Sequence, residues 1–306
     1  TIFFGGGTPS ILSNTEMKMI MDEINKNFCI DKDAEISMEC NPGTLNKEKL
    51  EFMKSLGINR LSIGLQAVQE DLLGYIGRIH NYEQFEKNYI EARKAGFKNI
   101  NIDLIYGINN ETLKELQEEV DSFINLDVNH ISLYSLILED NTILKTKKYK
   151  EIDDDLNRKM YDYIRKTLKK NNYIHYEISN FSKKGYMSKH NLCYWNNDNY
   201  YGFGLGSSGF VDNIRYTNTR SLNSYINGNY RYIKEKIDKK RNMEYEMILN
   251  LRKIKGISKK NFYKKYNINI KDVFDVSKLK ENKYYFYIPK KYLFVENYIL
   301  SDFILD

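Results

Sequence analysis

The sequence has few cysteines and prolines, and it lacks any long run of apolar residues. Its 306 residues include three cysteines and three prolines. Cys29, Cys40 and Cys193 lie far apart and form no CxxC pair, which excludes a disulfide framework and indicates a reducing cytoplasm. No apolar stretch approaches the roughly 20 residues of a membrane-spanning helix. We therefore predict a cytoplasmic protein without a membrane span, and the sequence leaves peripheral membrane contact open.

The chain also lacks a clustered basic stripe. Its net charge of +6 is spread along the sequence, and the densest basic run, at 234–241, is typical of an exposed helix face or a linker. Aromatic residues do not alternate with basic ones in the pattern of a nucleic-acid surface. We predict no nucleic-acid partner.

An initiator methionine is absent, and Thr1 stands directly before an apolar run at 2–4 that is typical of a strand. The sequence therefore predicts that a preceding segment is missing. The chain is long enough for one large domain or for a large domain and a smaller one.

Strand-like and helical patterns alternate up to about residue 181, which favours parallel βα units. The apolar character of several strands suits burial on both faces. A partial (β/α)6 TIM-like barrel explains the pattern better than a doubly wound sheet, because polar residues collect at the strand ends. The predicted strands are 2–4, 35–41, 60–66, 99–107, 130–138 and 176–181. The predicted helices are 13–28, 44–57, 81–97, 111–124 and 153–171.

The pattern changes after residue 212, so we predict domains at 1–212 and 213–306. Helices at 221–233 and 243–258 precede a β-leaning segment at 284–305, which predicts a small α+β, winged-helix-like domain. Winged helices bind DNA or act as interaction modules. Without a basic recognition helix, the second role is favoured here.

The glycine run in GGGTPS ends the first predicted strand. Gly6 and Gly7 permit close backbone approach to a ligand, and exposed N–H groups there would bind an anion or an amino-acid group. Thr8 then turns the chain towards the first helix. The alternative is a tight turn without a ligand. The run matches neither the dinucleotide fingerprint nor the phosphate loop.

Other polar residues mark further strand ends. Glu39, Gln66 and Asp103 occupy three of them, and Asp103 points away from its apolar neighbours if its segment is a strand. A buried carboxylate needs a partner, so these residues predict a ligand-lined mouth. Arg78 follows in the loop after Gln66 and is a candidate anion clamp, or a surface residue.

The segment KHNLCYWNN contains His190 and the single tryptophan, Trp195. A histidine beside aromatic residues is able to coordinate a metal or a tetrapyrrole iron, or to pack with its ring satisfied.

Taken in order, GGGTPS, MECNPGT, RLSIGLQAVQEDLLGYIGRIHN, ARKAGFKNINIDLIYGI, HISLYSLILEDNT, YEISNF and HNLCYW resemble the radical SAM proteins related to oxygen-independent coproporphyrinogen III oxidase. Within that family the chain is most similar to the heme chaperone branch. The resemblance implies a radical SAM partial barrel whose first strand is missing and a C-terminal helical domain. Its implied cofactors are S-adenosylmethionine, a [4Fe–4S] cluster and heme.

The resemblance also implies roles for individual residues. Those matching S-adenosylmethionine-binding positions are Gly6, Gly7, Thr8, Glu39, Gln66, Arg78 and Asp103. His190 matches the histidine of the family's HNxxYW motif and is a candidate heme ligand or heme contact. The implied partner is a heme-receiving client protein, and the resemblance leaves a homodimer open.

One family feature is missing. The CxxxCxxC motif that holds the cluster is not in this sequence, so we expect its ligands upstream of Thr1 and predict no radical chemistry by this chain alone. Three hypotheses follow: a heme chaperone, a coproporphyrinogen III oxidase of porphyrin biosynthesis, and a barrel-derived interaction module without a cofactor.

Overall fold

The computed structural model describes residues 1–138, 144, 149–150 and 152–305. These residues form two compact units. The first comprises Thr1–His175 and Ser179–Met187, and the second comprises Tyr176–Ile178 and Ser188–Asp306. The division at Met187 and Ser188 precedes residue 212. The separate domain at residues 213–306 therefore stays a prediction.

The first unit is built on a mostly parallel sheet. Its strands are β1 (Ile2–Phe4), β2 (Ile36–Cys40), β3 (Arg60–Gln66), β4 (Asn99–Tyr106), β5 (His130–Ser135) and β7 (Asn180–Ser182), in the order β1-β2-β3-β4-β5-β7. Strands β1 to β5 pair in parallel, as the alternation of strands and helices predicts. Strand β6 (Ile174–Glu177) leads the chain into the second unit.

The prediction of one further strand over 176–181 was wrong. A turn at Ile178 and Ser179 separates β6 from β7, and β7 pairs antiparallel with β5. Serine and asparagine favour such turns because their side chains bond to the local backbone. The parallel repeat therefore ends at β5 within the described part of the sheet.

Helices connect the strands of the first unit. They are α1 (Asn14–Asn27), α2 (Lys47–Ser55), α3 (Glu70–Tyr75), α4 (Tyr82–Lys94), α5 (Leu113–Asn125) and α6 (Asp154–Lys170), with a 3₁₀ turn at Pro9–Ile11. Capping boxes begin three of them: the pairs are Ser13 with Glu16, Asn81 with Gln84 and Thr112 with Glu115. A capping box satisfies two orphan N–H groups, which explains why the predicted starts agree with the structure. The sequence did not predict the short helix α3.

The second unit contains two small antiparallel sheets. The strands β8 (Ser208–Val211), β9 (Ile214–Asn218) and β10 (Arg231–Lys236) follow the order β10-β9-β8. The strands β11 (Ile257–Ser258), β12 (Lys280–Glu281) and β13 (Tyr285–Tyr287) follow the order β11-β13-β12. The helices are α7 (Lys189–Trp195), α8 (Leu222–Ile226), α9 (Lys239–Leu251), α10 (Lys259–Tyr266) and α11 (Glu296–Leu300), with 3₁₀ turns at Ile270–Asp272, Lys290–Val295 and Ser301–Phe303.

Two predictions for the second unit were wrong. The predicted helix over 221–233 stops at Ile226, and its last residues belong to β10. The end of the β-leaning segment is helical, because Ile299, Leu300 and Phe303 recur at a helical spacing that buries all three. Among the described residues, no helix is long and apolar enough to cross a membrane.

Candidate functional site

The sheet of the first unit has one polar and one apolar face, because polar and apolar residues alternate along its strands. The apolar face is buried and consists of Met38, Cys40, Leu61, Ile63, Ile100, Ile102, Leu104, Ile131 and Leu133. The polar face carries Ser37, Glu39, Arg60, Ser62, Asn101, Asp103, His130 and Ser132. In this face the register sets Glu39 beside Ser62, and Asp103 beside Gly64 and Ser132.

Asp103 points into the polar face, as its position between apolar neighbours predicts. Its Oδ2 accepts a hydrogen bond from Ser62 Oγ at 3.0 Å, and its Oδ1 accepts one from Asn101 Nδ2 at 2.8 Å. Burial raises the pKa of the Asp103 carboxyl, whereas hydrogen bonds from Asn101, Ser132 and Ser62 and the charge of Arg60 oppose that rise. Donors on two strands, Ser62 on β3 and Asn101 on β4, thus hold the carboxylate in one orientation.

Asn101 is the hub of this network. Its amide group donates to Ser62 Oγ at 2.7 Å and to Asp103 Oδ1, while its Oδ1 accepts from His130 Nδ1 at 2.5 Å and from Ser132 Oγ at 3.0 Å. Four bonds use its two donor hydrogens and two acceptor lone pairs. Burial lowers the pKa of His130 well below its ordinary value, and Arg60 lowers it further, so the imidazole is neutral and donates from Nδ1.

The glycine loop adjoins Glu39. Gly6 has φ +110° and donates its N–H to Glu39 Oε2 at 3.1 Å. No atom lies within 4 Å of the position that a Cβ would take on Gly6 or Gly7, so the loop borders open space. Burial raises the pKa of Glu39, the Gly6 N–H lowers it, and the nearby Asp103 raises it.

Asn41 connects the glycine loop to β3. Its Nδ2 donates to Thr8 Oγ1 at 3.2 Å. Its Oδ1 and the Gln66 amide both lie beside Gly64, where a Cβ would come within 2.7 Å of Gln66 Nε2. Gln66 itself has φ +76° at an irregularity in the β3–β4 register, which turns its side chain back over the strand. A side chain at position 64 would therefore displace the Gln66 amide from the place it occupies here.

Arg78 belongs to a loop that His80 fixes. His80 is buried and donates its Nε2 hydrogen to the Leu65 carbonyl at 2.9 Å, next to the end of β3. Burial lowers the pKa of Arg78, whereas the charge of Asp103 raises it, which places the guanidinium within electrostatic range of that carboxylate. No described residue forms a hydrogen bond or salt bridge with the Arg78 side chain.

Seven predicted site residues thus belong to the first unit, six of them joined by hydrogen bonds, close contacts or charge interactions in this region. Gly7 completes the group as part of the same glycine loop. Sequence reasoning missed Asn41, Ser62, His80, Asn101, His130 and Ser132. The alternation of polar and apolar residues in RLSI, NINIDL and HISL was the signal that pointed to most of them.

His190 belongs to the second unit, on helix α7, whose start is capped by Ser188. Its Nε2 lies 2.6 Å from the Tyr194 hydroxyl, one helical turn later, and the two rings meet edge to face at 4.7 Å. Tyr194 in turn meets Tyr200 edge to face at 4.6 Å. All residues of α7 are at least partly exposed.

The described residues contain no group of three or more histidine, cysteine or acidic side chains arranged to hold a metal ion. Cys40 is buried, and burial raises the pKa of its thiol above the ordinary value, which disfavours the thiolate that binds iron. The open glycine loop, two carboxylates, an amide and an unpaired guanidinium instead suit an organic ligand that carries both charges and hydroxyl groups.

Residues 1–123 match the family model of the radical SAM superfamily. The heme chaperone HemW of Lactococcus lactis is 37% identical over 90% of this chain and 74% of that protein, and HemW of Bacillus subtilis is 38% identical over 90% and 75%. The structure of the Escherichia coli coproporphyrinogen III oxidase HemN, a radical SAM enzyme, superimposes with a TM-score of 0.84 at 17% identity, covering 98% of this chain and 76% of that one. The fold is therefore the α/β fold of HemN, and by its identity to the curated relatives the chain belongs to the HemW family of radical SAM proteins.

Proposed function

We propose that this protein binds heme and S-adenosylmethionine and delivers heme to a client protein. The observation that carries the proposal is the identity of 37–38% to proteins named heme chaperone HemW over 90% of the chain. The proposed location is the cytoplasm, and the proposed partners are heme and a heme-receiving protein.

The proposed S-adenosylmethionine site is the polar face of the first unit with its adjoining loops. The open space beside Gly6 and Gly7 leaves room for the methionine part of the ligand, next to the Thr8 turn. The carboxylates of Glu39 and Asp103 suit its ammonium group and its ribose hydroxyls, and Arg78 suits its carboxylate. Gln66 supplies an amide at the same strand end. S-adenosylmethionine, when bound, supplies the sulfonium-linked adenosyl group; these residues bind and orient it.

The described residues do not fit a [4Fe–4S] cluster. Such clusters are held by several cysteine thiolates, whereas Cys40 is buried, Cys29 is exposed, and no three potential ligands converge. We derive no step through a cluster for this chain.

The proposed heme contact is His190. Imidazole is a common axial ligand of heme iron. Because the Nε2 of His190 lies 2.6 Å from the Tyr194 hydroxyl, ligation through Nε2 would require this hydrogen bond to break. The Tyr194 hydroxyl therefore competes with iron for the same nitrogen.

Finer structural assignments belong to the same proposal. We assign the sheet of the first unit to a partial (β/α)6 barrel. Helices α9 and α10 with the sheet β11-β13-β12 form a winged-helix-like arrangement within the proposed domain 213–306, used for protein contacts.

The test is a titration of the full chain with hemin, followed by the Soret band, beside calorimetry with S-adenosylmethionine. We expect stoichiometric heme binding, transfer of heme to an apo-acceptor protein, and a loss of about tenfold in S-adenosylmethionine affinity for Asp103→Ala and Arg78→Ala. Asp22→Ala, in an exposed salt bridge with Lys18 on α1, is the matched control and should bind normally.

On a form of the protein that carries the [4Fe–4S] cluster, a coproporphyrinogen assay separates the proposed chaperone from an oxidase like HemN. Turnover to protoporphyrinogen would replace the chaperone proposal with the oxidase. Unchanged S-adenosylmethionine binding by Asp103→Ala and Arg78→Ala would favour an interaction module at the first unit.

A further inference from the structure

An exposed apolar ridge follows helix α7 in the second unit. It consists of Tyr201, Phe203 and Leu205, which are 60%, 67% and 45% exposed. The residues between them are Gly202, which is buried, and Gly204, which is half-buried, so exposed large side chains alternate with less exposed glycines. The Tyr201 and Phe203 rings are nearly parallel, with an interplanar angle of 20° and centroids 6.0 Å apart. This array exposes two aromatic rings and a leucine side chain to solvent.

Hydrogen bonds hold the backbone of this ridge in place. The Gly202 N–H donates to the Tyr216 hydroxyl at 2.9 Å, and the Gly204 N–H donates to the Tyr225 hydroxyl at 3.0 Å. Asn218 Nδ2 donates to the Gly204 carbonyl at 2.8 Å. The exposed rings are therefore presented by an ordered backbone, which lowers the entropy cost of binding a ligand on them.

The glycines are required by this geometry. A Cβ on Gly202 would lie 2.1 Å from the Ser208 carbonyl oxygen, and Gly204 has φ +92°. A side chain at either position would push the segment away from β8 and β9 or strain its backbone. The spacing of the ridge thus follows from a backbone that only glycine permits.

The ridge is continuous in sequence with the aromatic contacts of His190. Tyr200 immediately precedes it and meets the ring of Tyr194, which bonds to His190 Nε2. The Tyr200 backbone is fixed by two hydrogen bonds to Phe210, at 2.8 and 2.9 Å. A chain of ordered contacts therefore joins the candidate heme histidine to the start of the ridge.

Arg220 lies at the Leu205 end of the ridge. The Arg220 side chain lies against Gly206, with its Cγ 3.5 Å from the position of a Cβ there. Arg220 is exposed, and no described residue forms a hydrogen bond or salt bridge with its guanidinium. An apolar surface with a free guanidinium at its end is complementary to a flat apolar molecule with carboxylates at its edge.

We propose that the ridge Tyr201–Phe203–Leu205 is a contact surface for the porphyrin ring of heme and that Arg220 binds a heme propionate. This inference rests on the proposed heme-binding function and extends it to residues outside the HNLCYW motif. Aromatic rings stack on flat conjugated surfaces, and arginine grips carboxylates with paired hydrogen bonds. In this arrangement the ridge binds the macrocycle whether or not it contains iron.

Binding measurements with two porphyrins distinguish contacts made by the ridge from ligation of the heme iron. The full chain is titrated with hemin and with metal-free protoporphyrin IX, and melting temperatures confirm that each variant is folded. Phe203→Ser should weaken binding of both about tenfold, because it removes an aromatic surface that the bound porphyrin would cover. His190→Ala should change the Soret spectrum with hemin and leave protoporphyrin affinity within about twofold. Tyr263→Ser, which removes an aromatic residue 49% exposed on α10, is the control and should bind normally.

A third ligand tests the cation. Arg220→Gln should weaken hemin binding about fivefold but leave the affinity for heme dimethyl ester unchanged, since the ester has no free propionate. Lys264→Gln on the exposed side of α10 is the charge-matched control.

The outcomes are distinct. If the unaltered chain binds both porphyrins and Phe203→Ser and Tyr201→Ser bind them equally well, the ridge assignment is overturned and heme binding stands. Equal porphyrin affinity with slower transfer to an acceptor would assign the ridge to the client protein and also overturn it. If the unaltered chain binds neither porphyrin, the proposed function fails together with this inference.

Discussion

Replacing Asn101 by alanine tests whether the buried polar face depends on one amide. Asn101 is 2% exposed and makes four hydrogen bonds, to Ser62, Asp103, His130 and Ser132. In the variant, the Ser132 hydroxyl is still able to donate to the Asp103 carboxylate, so it is not left without an acceptor. The Nδ1 hydrogen of His130 loses the amide oxygen that accepts it, and leaving such a buried donor unsatisfied costs about 1–3 kcal/mol.

The lost bonds to Ser62 and Asp103 add about 1 kcal/mol each, so Asn101→Ala should lower the free energy of unfolding by about 3–5 kcal/mol. Asn99→Ala is the matched control. Asn99 stands two residues earlier on the same face of β4, and its buried Oδ1 has no hydrogen-bond partner among the described residues. Its loss should stay below about 1 kcal/mol.

The assay is urea unfolding followed by far-UV circular dichroism, with hydrogen exchange of peptides from β3, β4 and β5. Exchange should accelerate in these strands for Asn101→Ala and not for Asn99→Ala. Equal losses in the two variants, or a loss below 1 kcal/mol for Asn101→Ala, would refute the role of Asn101 as the hub.

Three further predictions concern other residues. Burial raises the pKa of Glu111 from 4.5 to about 7, so the folded state binds the proton more tightly than the unfolded state does. The free energy of unfolding should therefore fall as pH rises from 4.5 to 7. Urea titrations should show a smaller fall for Glu111→Gln, and an unchanged dependence of the unfolding free energy on pH would contradict the prediction. Gly202→Ala should destabilise the second unit by about 2–4 kcal/mol, because its Cβ would clash with the Ser208 carbonyl oxygen. The control is Gly74→Ala in α3, where no atom lies within 4 Å of the new Cβ and the change should stabilise the protein by up to about 1 kcal/mol. Thermal melts measure both variants, and equal shifts in melting temperature would refute the clash. Tyr194→Phe should strengthen heme binding several-fold by freeing its histidine partner, and weaker binding in the Soret titration would show that the hydroxyl supports heme instead.

Much of the first unit could be predicted from local patterns. Strands β1 to β5 and helices α1, α2, α4, α5 and α6 lie close to their predicted ranges, because alternation and helical spacing are properties of neighbouring residues. Asp103 illustrates the same point within the site, since its direction follows from the apolar residues on either side. The family resemblance read from the ordered motifs was confirmed by the curated relatives.

Local patterns did not predict where the chain reverses. The turn at Ile178 and Ser179 and the helical segment Glu296–Leu300 both replaced predicted strands. At Ile178 and Ser179, which are only half-buried, the turn preference of serine and asparagine prevailed. In Glu296–Leu300, burial of Ile299 and Leu300 on one side of a helix overrode their β propensity, because a propensity scale does not include tertiary burial.

The sequence alone thus determined the succession of parallel strands and helices, the glycine loop after β1 and the polar alternation along β3, β4 and β5. Only the tertiary structure decided which polar groups meet: that Asn101 joins Asp103 to His130, that Asn41 joins the glycine loop to β3, and that the Gln66 amide folds back over Gly64. The physical reason is that side-chain direction depends on adjacent residues, whereas a hydrogen-bond partner depends on the register between segments that are distant along the chain.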